Sequence, residues 1–220
     1  MPYRREQFVN GEIYHIVVRS IDDNLLFKDI DDYYRGIFSI YEFNNFNPVE
    51  IIKRRQEIRT AKKTFQKQII KGERVSSVLP DNRDLLVEVL LFCLMPNHFH
   101  LLIDQVGDMP ISNLMLKLCT SYAKYINQKH KRVGHIFQDQ FKAVLIEDDP
   151  QLMWTSAYIH MNPVKDKIVK NPRDYEWSSY NDYAFDRNLP IVTKELLIGT
   201  FGSQKDFIEQ TLIYDVKGAL

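Results

Sequence analysis

Residues 85–103 read LLVEVLLFCL, then MPN, then HFHLLI, and this stretch decides the fold. Its first ten residues are apolar except for Glu88, the pattern of a central strand covered on both faces. Met95-Pro96-Asn97 breaks the run, and residues 98–103 resume it as the expected hairpin partner. A hairpin means antiparallel pairing, which turns the reading away from a parallel, doubly wound sheet. Upstream, GEIYHIVVRS at 11–20 is rich in β-branched and aromatic residues and predicts another strand. Residues 31–43 (DDYYRGIFSIYEF) predict a helix with Tyr34, Ile37, Phe38 and Tyr41 on its apolar face and Asp31–Asp32 at the positive end of its dipole. Downstream, helices are predicted over 111–130 and 150–161, with GHIFQDQFKAVLIE between them as strand. Pro163 disfavours helical geometry at Asn162 and sets the expected end of the second helix. A short helical region ending near Tyr214 closes the chain. Strands interleaved with helices and a hairpin give an α+β fold.

A length of 220 residues suits one domain and can bury its apolar surface without disulfides or structural metal. With 13 Phe, 12 Tyr and 2 Trp, a largely disordered chain is excluded. No apolar run approaches the ~18 residues that span a bilayer, and MPYRREQFVNGE lacks a signal-peptide core, so a cytoplasmic, membrane-free protein is expected. Cys93 and Cys119 sit among apolar neighbours and read as reduced core residues. Formal charge is zero, from 29 basic against 29 acidic residues, which by itself argues against a nucleic-acid partner. That balance conceals a polarised chain. Residues 51–74 hold nine cations (Lys53, Arg54, Arg55, Arg59, Lys62, Lys63, Lys67, Lys71 and Arg74) against Glu57 and Glu73, a local excess of +7 that leaves −7 elsewhere. Ile51, Ile58, Ala61, Phe65 and Ile69 keep to one helical face, so the segment predicts a basic helix with a thin apolar stripe. The expected organisation is a single domain over 1–220, with 44–84 a basic helical insertion and 185–220 a C-terminal extension.

Two features could carry chemistry. In His98-Phe99-His100 the alternation of a strand sets both imidazoles on one face and turns Phe99 to the other. Neutral imidazole is a common metal ligand, although two histidines at a hairpin bend are also often bonded to backbone. In SAYIHMNPVK, Tyr158 and Asn162 lie four apart and share a helical face, while His160 points elsewhere. A phenol beside a carboxamide suits a nucleophile with a ligand next to it; a buried, satisfied tyrosine is the bland alternative.

MPNHFHLLI, SYAKYINQKHKRVGHIFQDQF, SAYIHMNPVKDKIV and YEWSSY, in this order and spacing, resemble the single-tyrosine HUH transposases, the closest branch being the REP-associated tyrosine transposases. The resemblance implies a ferredoxin-like antiparallel sheet with flanking helices and the HUH pair on a central strand. It implies that His98, His100 and Asn162 ligate a divalent cation, Mg²⁺ or Mn²⁺, and that Tyr158 is the nucleophile. The implied activity is a metal-dependent transesterase on single-stranded DNA, cutting and rejoining at hairpin or inverted-repeat sites through a 5′-phosphotyrosine intermediate. Relatives are often homodimers. DNA contacts are expected from Lys53, Arg54, Arg55, Arg59, Lys62 and Lys63 in the basic segment, and from Lys124 and Arg132. Gln138-Asp139-Gln140-Phe141 departs from the Gln-Gly-Arg-Phe of relatives, which removes one arginine from the expected phosphate contacts. Two other classes compete: a DNA- or RNA-binding protein of the same fold that no longer cuts, and a metal hydrolase, for which no further ligand cluster has suitable spacing.

Overall fold

The computed structural model describes residues 8–49, 52–54, 56–57, 59–60, 83–107, 110–138, 140–185 and 187–213. Four strands, β1 (Ile13–Arg19), β2 (Glu88–Met95), β3 (His98–Asp104) and β4 (Lys142–Ile146), form an antiparallel sheet in the order β2-β3-β1-β4. Helix α1 (Ile30–Phe43) links β1 to β2, and α2 (Pro110–Lys129) links β3 to β4. Each crossover therefore joins two strands with another inserted between them, the split βαβ pattern of the ferredoxin-like fold. Both helices pack on the sheet face that carries Ile16, Val18, Phe99, Leu101 and Ile103. Helix α3 (Asp149–Lys165) follows β4 and covers the other face, joined there by α4 (Tyr180–Ala184), α5 (Glu195–Phe201) and α6 (Gln204–Ile213). The residues expected to form a C-terminal extension thus bring Leu197, Phe201 and Phe207 into the core of that second layer.

The 85–94 run is an edge strand, not the central one its composition predicts. It is buried nonetheless, because the chain after α3 seals its outer edge. Trp177 O accepts from Leu94 N at 2.8 Å, Ser179 N donates to Phe92 O at 2.9 Å, and Thr193 N donates to Val89 O at 2.9 Å. Ser179 Oγ accepts from Phe92 N at 3.0 Å, and the Tyr175 and Tyr183 hydroxyls donate to Leu94 O and Leu90 O. An edge whose ladder groups are satisfied this way can be as apolar as a central strand. A register shift between Val89 and Leu91 turns Leu90 and Leu91 both toward the second layer, which strict alternation would not allow.

Three other expectations change. The buried side of α1 holds Arg35, Gly36, Ser39, Ile40 and Phe43, while Tyr34 is 58% exposed. Gly36 explains the rotation: a Cβ there would lie 2.8 Å from Phe27 Cε1 and 2.9 Å from Leu94 Cδ1, so the helix meets the sheet through its smallest residue. Asp31 and Asp32 lie in its first turn, as expected, and Asp29 just before them caps the helix by accepting from Asp32 N at 3.1 Å. The strand predicted over 134–147 contracts to β4, with one isolated bridge from Phe137 to Ser20. Helix α3 does not stop at Asn162 but runs through Pro163 to Lys165. A proline this close to the end forfeits only one helical donor, and Asp166 N restores closure by donating to Asn162 O at 2.9 Å. Most of the basic segment lies outside the described residues.

Candidate active site

Strand β3 sets His98 and His100 on the sheet face that α3 covers, with Phe99 and Leu101 in the opposite core. The two imidazole centroids are 4.9 Å apart. On β1, the cross-strand register Arg19↔His98, Val17↔His100 and His15↔Leu102 brings Arg19 and His15 onto the same face. Helix α3 lowers Tyr158 onto this group. Its ring centroid lies 5.8 Å from that of His100 and 6.2 Å from that of His15, edge-on to both. Asp148 caps the helix through Gln151 N with Pro150 in its first turn, which fixes its start nine residues before the tyrosine in sequence. Trp154, one turn earlier, stacks on Tyr158 at 5.4 Å, and Lys165 Nζ lies 5.1 Å from the same ring.

Each imidazole has its protonation biased by its surroundings. Burial, then the charge of Arg19, lowers His98 to about 4. His100 is held well below the usual imidazole range by burial, with like charge on His15 and His98 opposing protonation further. Burial lowers His15 to about 4. All three are therefore neutral at pH 7 and carry lone pairs. His98 Nδ1 lies 2.6 Å from Asn97 Oδ1, and Asn97 Nδ2 leans toward Asp23 Oδ1 at 3.5 Å. A carboxamide oxygen only accepts, so His98 carries its hydrogen on Nδ1 and presents Nε2 as a lone pair. His100 Nε2 is buried and makes no hydrogen bond. This orphaned nitrogen beside a second available imidazole fits a divalent cation of the Mn²⁺ type, which accepts nitrogen ligands. Among the described residues no group of three or more His, Cys, Asp or Glu side chains gathers as a metal cage, so a cation here would complete its shell from carboxamide, water or substrate oxygen. Burial pushes up the thiol of Cys93, the cross-strand partner of His100.

Asn162 is buried one turn after Tyr158, and its Nδ2 donates to Tyr158 O at 2.8 Å. Its amide nitrogen is thereby used within the helix, and among the described residues its side chain makes no hydrogen bond to either imidazole. Any ligation would fall to Oδ1. His160 faces away, as expected: its Nε2 lies 2.8 Å from Ser179 Oγ, the group that also seals β2.

The predicted DNA contacts scatter. Lys124 is exposed on α2, in the layer across the sheet from the imidazoles. Arg132 donates from Nη2 to His135 O at 3.1 Å, in a loop that returns to the end of β1, where Gln138 N donates to Arg19 O. Lys53 and Arg59 are exposed in helical turns, whereas Arg54 is paired to Glu42 at 2.8 Å and Glu57 at 3.3 Å. Arg55, Lys62 and Lys63 lie outside the described residues. Sequence reasoning missed His15, Arg19 and Lys165, which the fold brings to the site. The available signal was the alternation in 13–19, which sets His15, Val17 and Arg19 on one face.

Comparison with known proteins matches this arrangement of motifs. The sequence model for IS200-like transposases matches residues 47–162, more than half of the chain and the whole stretch from the HUH pair to Asn162. The chain belongs to the IS200-like transposase family. It is similar to a Haemophilus influenzae protein described as a REP-associated tyrosine transposase, at 31% identity over 104 residues, a match covering 43% of this chain. The chain spans 59% of the length of that relative. Its fold is similar to the solved structure of a REP-associated tyrosine transposase bound to a REP hairpin, with a TM-score of 0.52, 18% identity, and coverage of 88% of this chain and 90% of the other. That likeness bears on the fold, and it agrees with the four-stranded antiparallel sheet flanked by helices. No helix among the described residues of this IS200-like chain is long and apolar enough to cross a membrane.

Proposed function

We propose that this IS200-like transposase cuts and rejoins single-stranded DNA at a hairpin or inverted repeat, with Tyr158 as nucleophile. The observation that carries the reading is the approach of the Tyr158 ring to within 5.8 Å of His100, on the same face as His98 and within one chain. Tyr158 Oη attacks the scissile phosphorus, the bond to O3′ breaks, the phenol loses its proton, and the departing 3′-oxygen takes one up. The phosphotyrosine ester conserves the bond energy, so a 3′-hydroxyl can reverse the step and reseal DNA without a nucleotide cofactor. His98 and His100 would hold the divalent cation through Nε2, with Asn162 Oδ1 as the third protein ligand. A bound Mg²⁺ or Mn²⁺ polarises the phosphate oxygens and offsets charge as it builds on them. Trp154 limits the swing of the nucleophile's ring by stacking on it. Arg19 and Lys165, charges close enough to weigh on His100, attract the phosphate to this face. Lys53 and Arg59, with the cations of the basic segment, hold flanking phosphates and make binding salt-sensitive.

The test is a labelled hairpin oligonucleotide with a single-stranded flank, incubated with Mn²⁺ and run under denaturing conditions. The intact protein yields a protein–DNA band that survives denaturation; Tyr158→Phe yields none yet retards the same hairpin on a native gel. An undiminished band from Tyr158→Phe would sink the assignment. Tight hairpin binding without any covalent band from the intact protein would instead identify a binding protein that no longer cuts.

A further inference from the structure

His15 is not among the expected ligands, yet it makes the one side-chain hydrogen bond that the described residues give to His100. Its Nε2 lies 2.8 Å from His100 Nδ1, and the two rings meet edge to edge, centroids 5.1 Å apart, with an interplanar angle of 19°. A bond between two imidazoles can run either way, and its direction decides what His100 offers on its far side. If His15 donates, His100 Nδ1 is the acceptor and the His100 hydrogen sits on Nε2. That hydrogen would then lie buried with no acceptor, since Nε2 has no partner. A buried, orphaned N–H is among the rarest arrangements in folded proteins. If His15 accepts, the His100 hydrogen sits on Nδ1 and Nε2 is left as a bare lone pair.

The neighbouring imidazole shows the same device built from different parts. His98 Nδ1 is held by the carboxamide oxygen of Asn97, which can only accept, and this too leaves Nε2 as the lone pair. We infer that His15 is a positioning residue that holds His100 as its Nδ1–H tautomer and fixes the plane of its ring, so that His98 and His100 present matched Nε2 lone pairs to one cation. Outer partners of this kind orient imidazole ligands and raise their basicity, and their loss commonly weakens metal binding about 10–100-fold. The geometry suits this role: the two ring planes differ by only 19°, so the hydrogen bond runs edge to edge and turning His100 about its Cβ–Cγ bond would break it. His15 itself touches neither phosphate nor cation. The inference rests on the proposed metal-dependent reading of the His98–His100 pair.

Two measurements test it, and neither reads activity. In the metal-free protein labelled with ¹⁵N-histidine, long-range ¹H–¹⁵N correlation should show His100 with a protonated Nδ1 and a bare Nε2; a protonated Nε2 overturns the inference. Direct Mn²⁺ titration, followed by the loss of free-ion electron paramagnetic resonance signal, should show His15→Phe binding at least about 10-fold more weakly than the intact protein. His15→Gln, which restores a side-chain acceptor, should recover part of that loss, whereas a merely structural histidine would gain nothing from it. Unchanged Mn²⁺ affinity in a folded His15→Phe overturns the role of His15 and leaves the metal reading standing. Failure of the intact protein to bind Mn²⁺ overturns the metal reading and this inference together.

Discussion

The two sides of helix α3 treat their aromatic and imidazole groups in opposite ways. On one side Tyr158 faces His15 and His100, and a buried imidazole nitrogen is left without a partner. On the other, two residues along the same helix, His160 is wedged among Tyr180, Tyr183 and Phe207 and bonded to Ser179. Ser179 in turn satisfies Phe92 N on β2, so the anchored side of the helix is tied into the seal along the sheet edge. The difference teaches how the fold positions the proposed nucleophile. One face is made immobile by aromatic packing, with His160 Nδ1 itself buried and unpartnered, and the other is left to hold the proposed reacting groups.

The sharpest way to break this comparison is to find that the two sides are interchangeable. Tyr158→Phe should lose the covalent adduct altogether while its midpoint of unfolding in urea stays within experimental scatter of the parent. A large fall in stability would show that the phenol serves the fold.

Acid should strain both sides at once. Burial lowers His15 and His98 to about 4 and His160 to about 3, against an ordinary value of 6.5. Between pH 6.5 and those values the unfolded chain binds protons that the folded protein refuses, so stability falls as pH drops and the loss is complete near pH 3. The summed loss is on the order of 5 kcal/mol or more. Urea unfolding measured at pH 7 and pH 4.5 should show the fall, and His160→Gln should shrink it from the anchored side alone. A flat stability profile across that range would contradict the buried, neutral state of these rings.

His160→Ala should cost roughly 2–4 kcal/mol by opening a cavity and releasing Ser179. Adduct formed per folded molecule should change far less than it does for Tyr158→Phe. Equal losses of activity in the two variants would erase the distinction between the sides. The smallest expected effect belongs to Lys165→Gln. A cation over an aromatic ring at an exposed site contributes about 0.5–1 kcal/mol, so adduct formation should slow by no more than roughly 5-fold, most visibly at low salt. A loss of several orders of magnitude would place Lys165 among the reacting groups.

Much of the reactive side is legible in the sequence because its logic is local. Strand alternation pairs His98 with His100, and a four-residue helical step pairs Tyr158 with Asn162. His15 escapes because its meeting with His100 spans 85 residues and depends on the sheet register between β1 and β3. The apolar run at 85–94 correctly signals burial on both faces, but burial does not say what does the covering. Here it is the segment carrying Trp177, Ser179 and Thr193, whose hydrogen bonds to β2 leave no periodic trace. The extension of α3 through Pro163 likewise follows from closure at Asp166, a capping arrangement that the Asn-Pro pair alone argues against.

Gly36 carries a different lesson. Where α1 crosses the sheet, a single methyl group would press on Phe27 and Leu94, both buried, and relief would cost about 1–3 kcal/mol even after the gain in helix propensity. Leu94 pairs with Phe99, the middle residue of the HUH triplet, so crowding at this point pushes on the strand that holds both imidazoles. Mutational tolerance along α1 is therefore uneven in a way that distance from the reaction does not explain. In a randomised library of that helix, Tyr34 would be replaced freely and Gly36 would return as glycine.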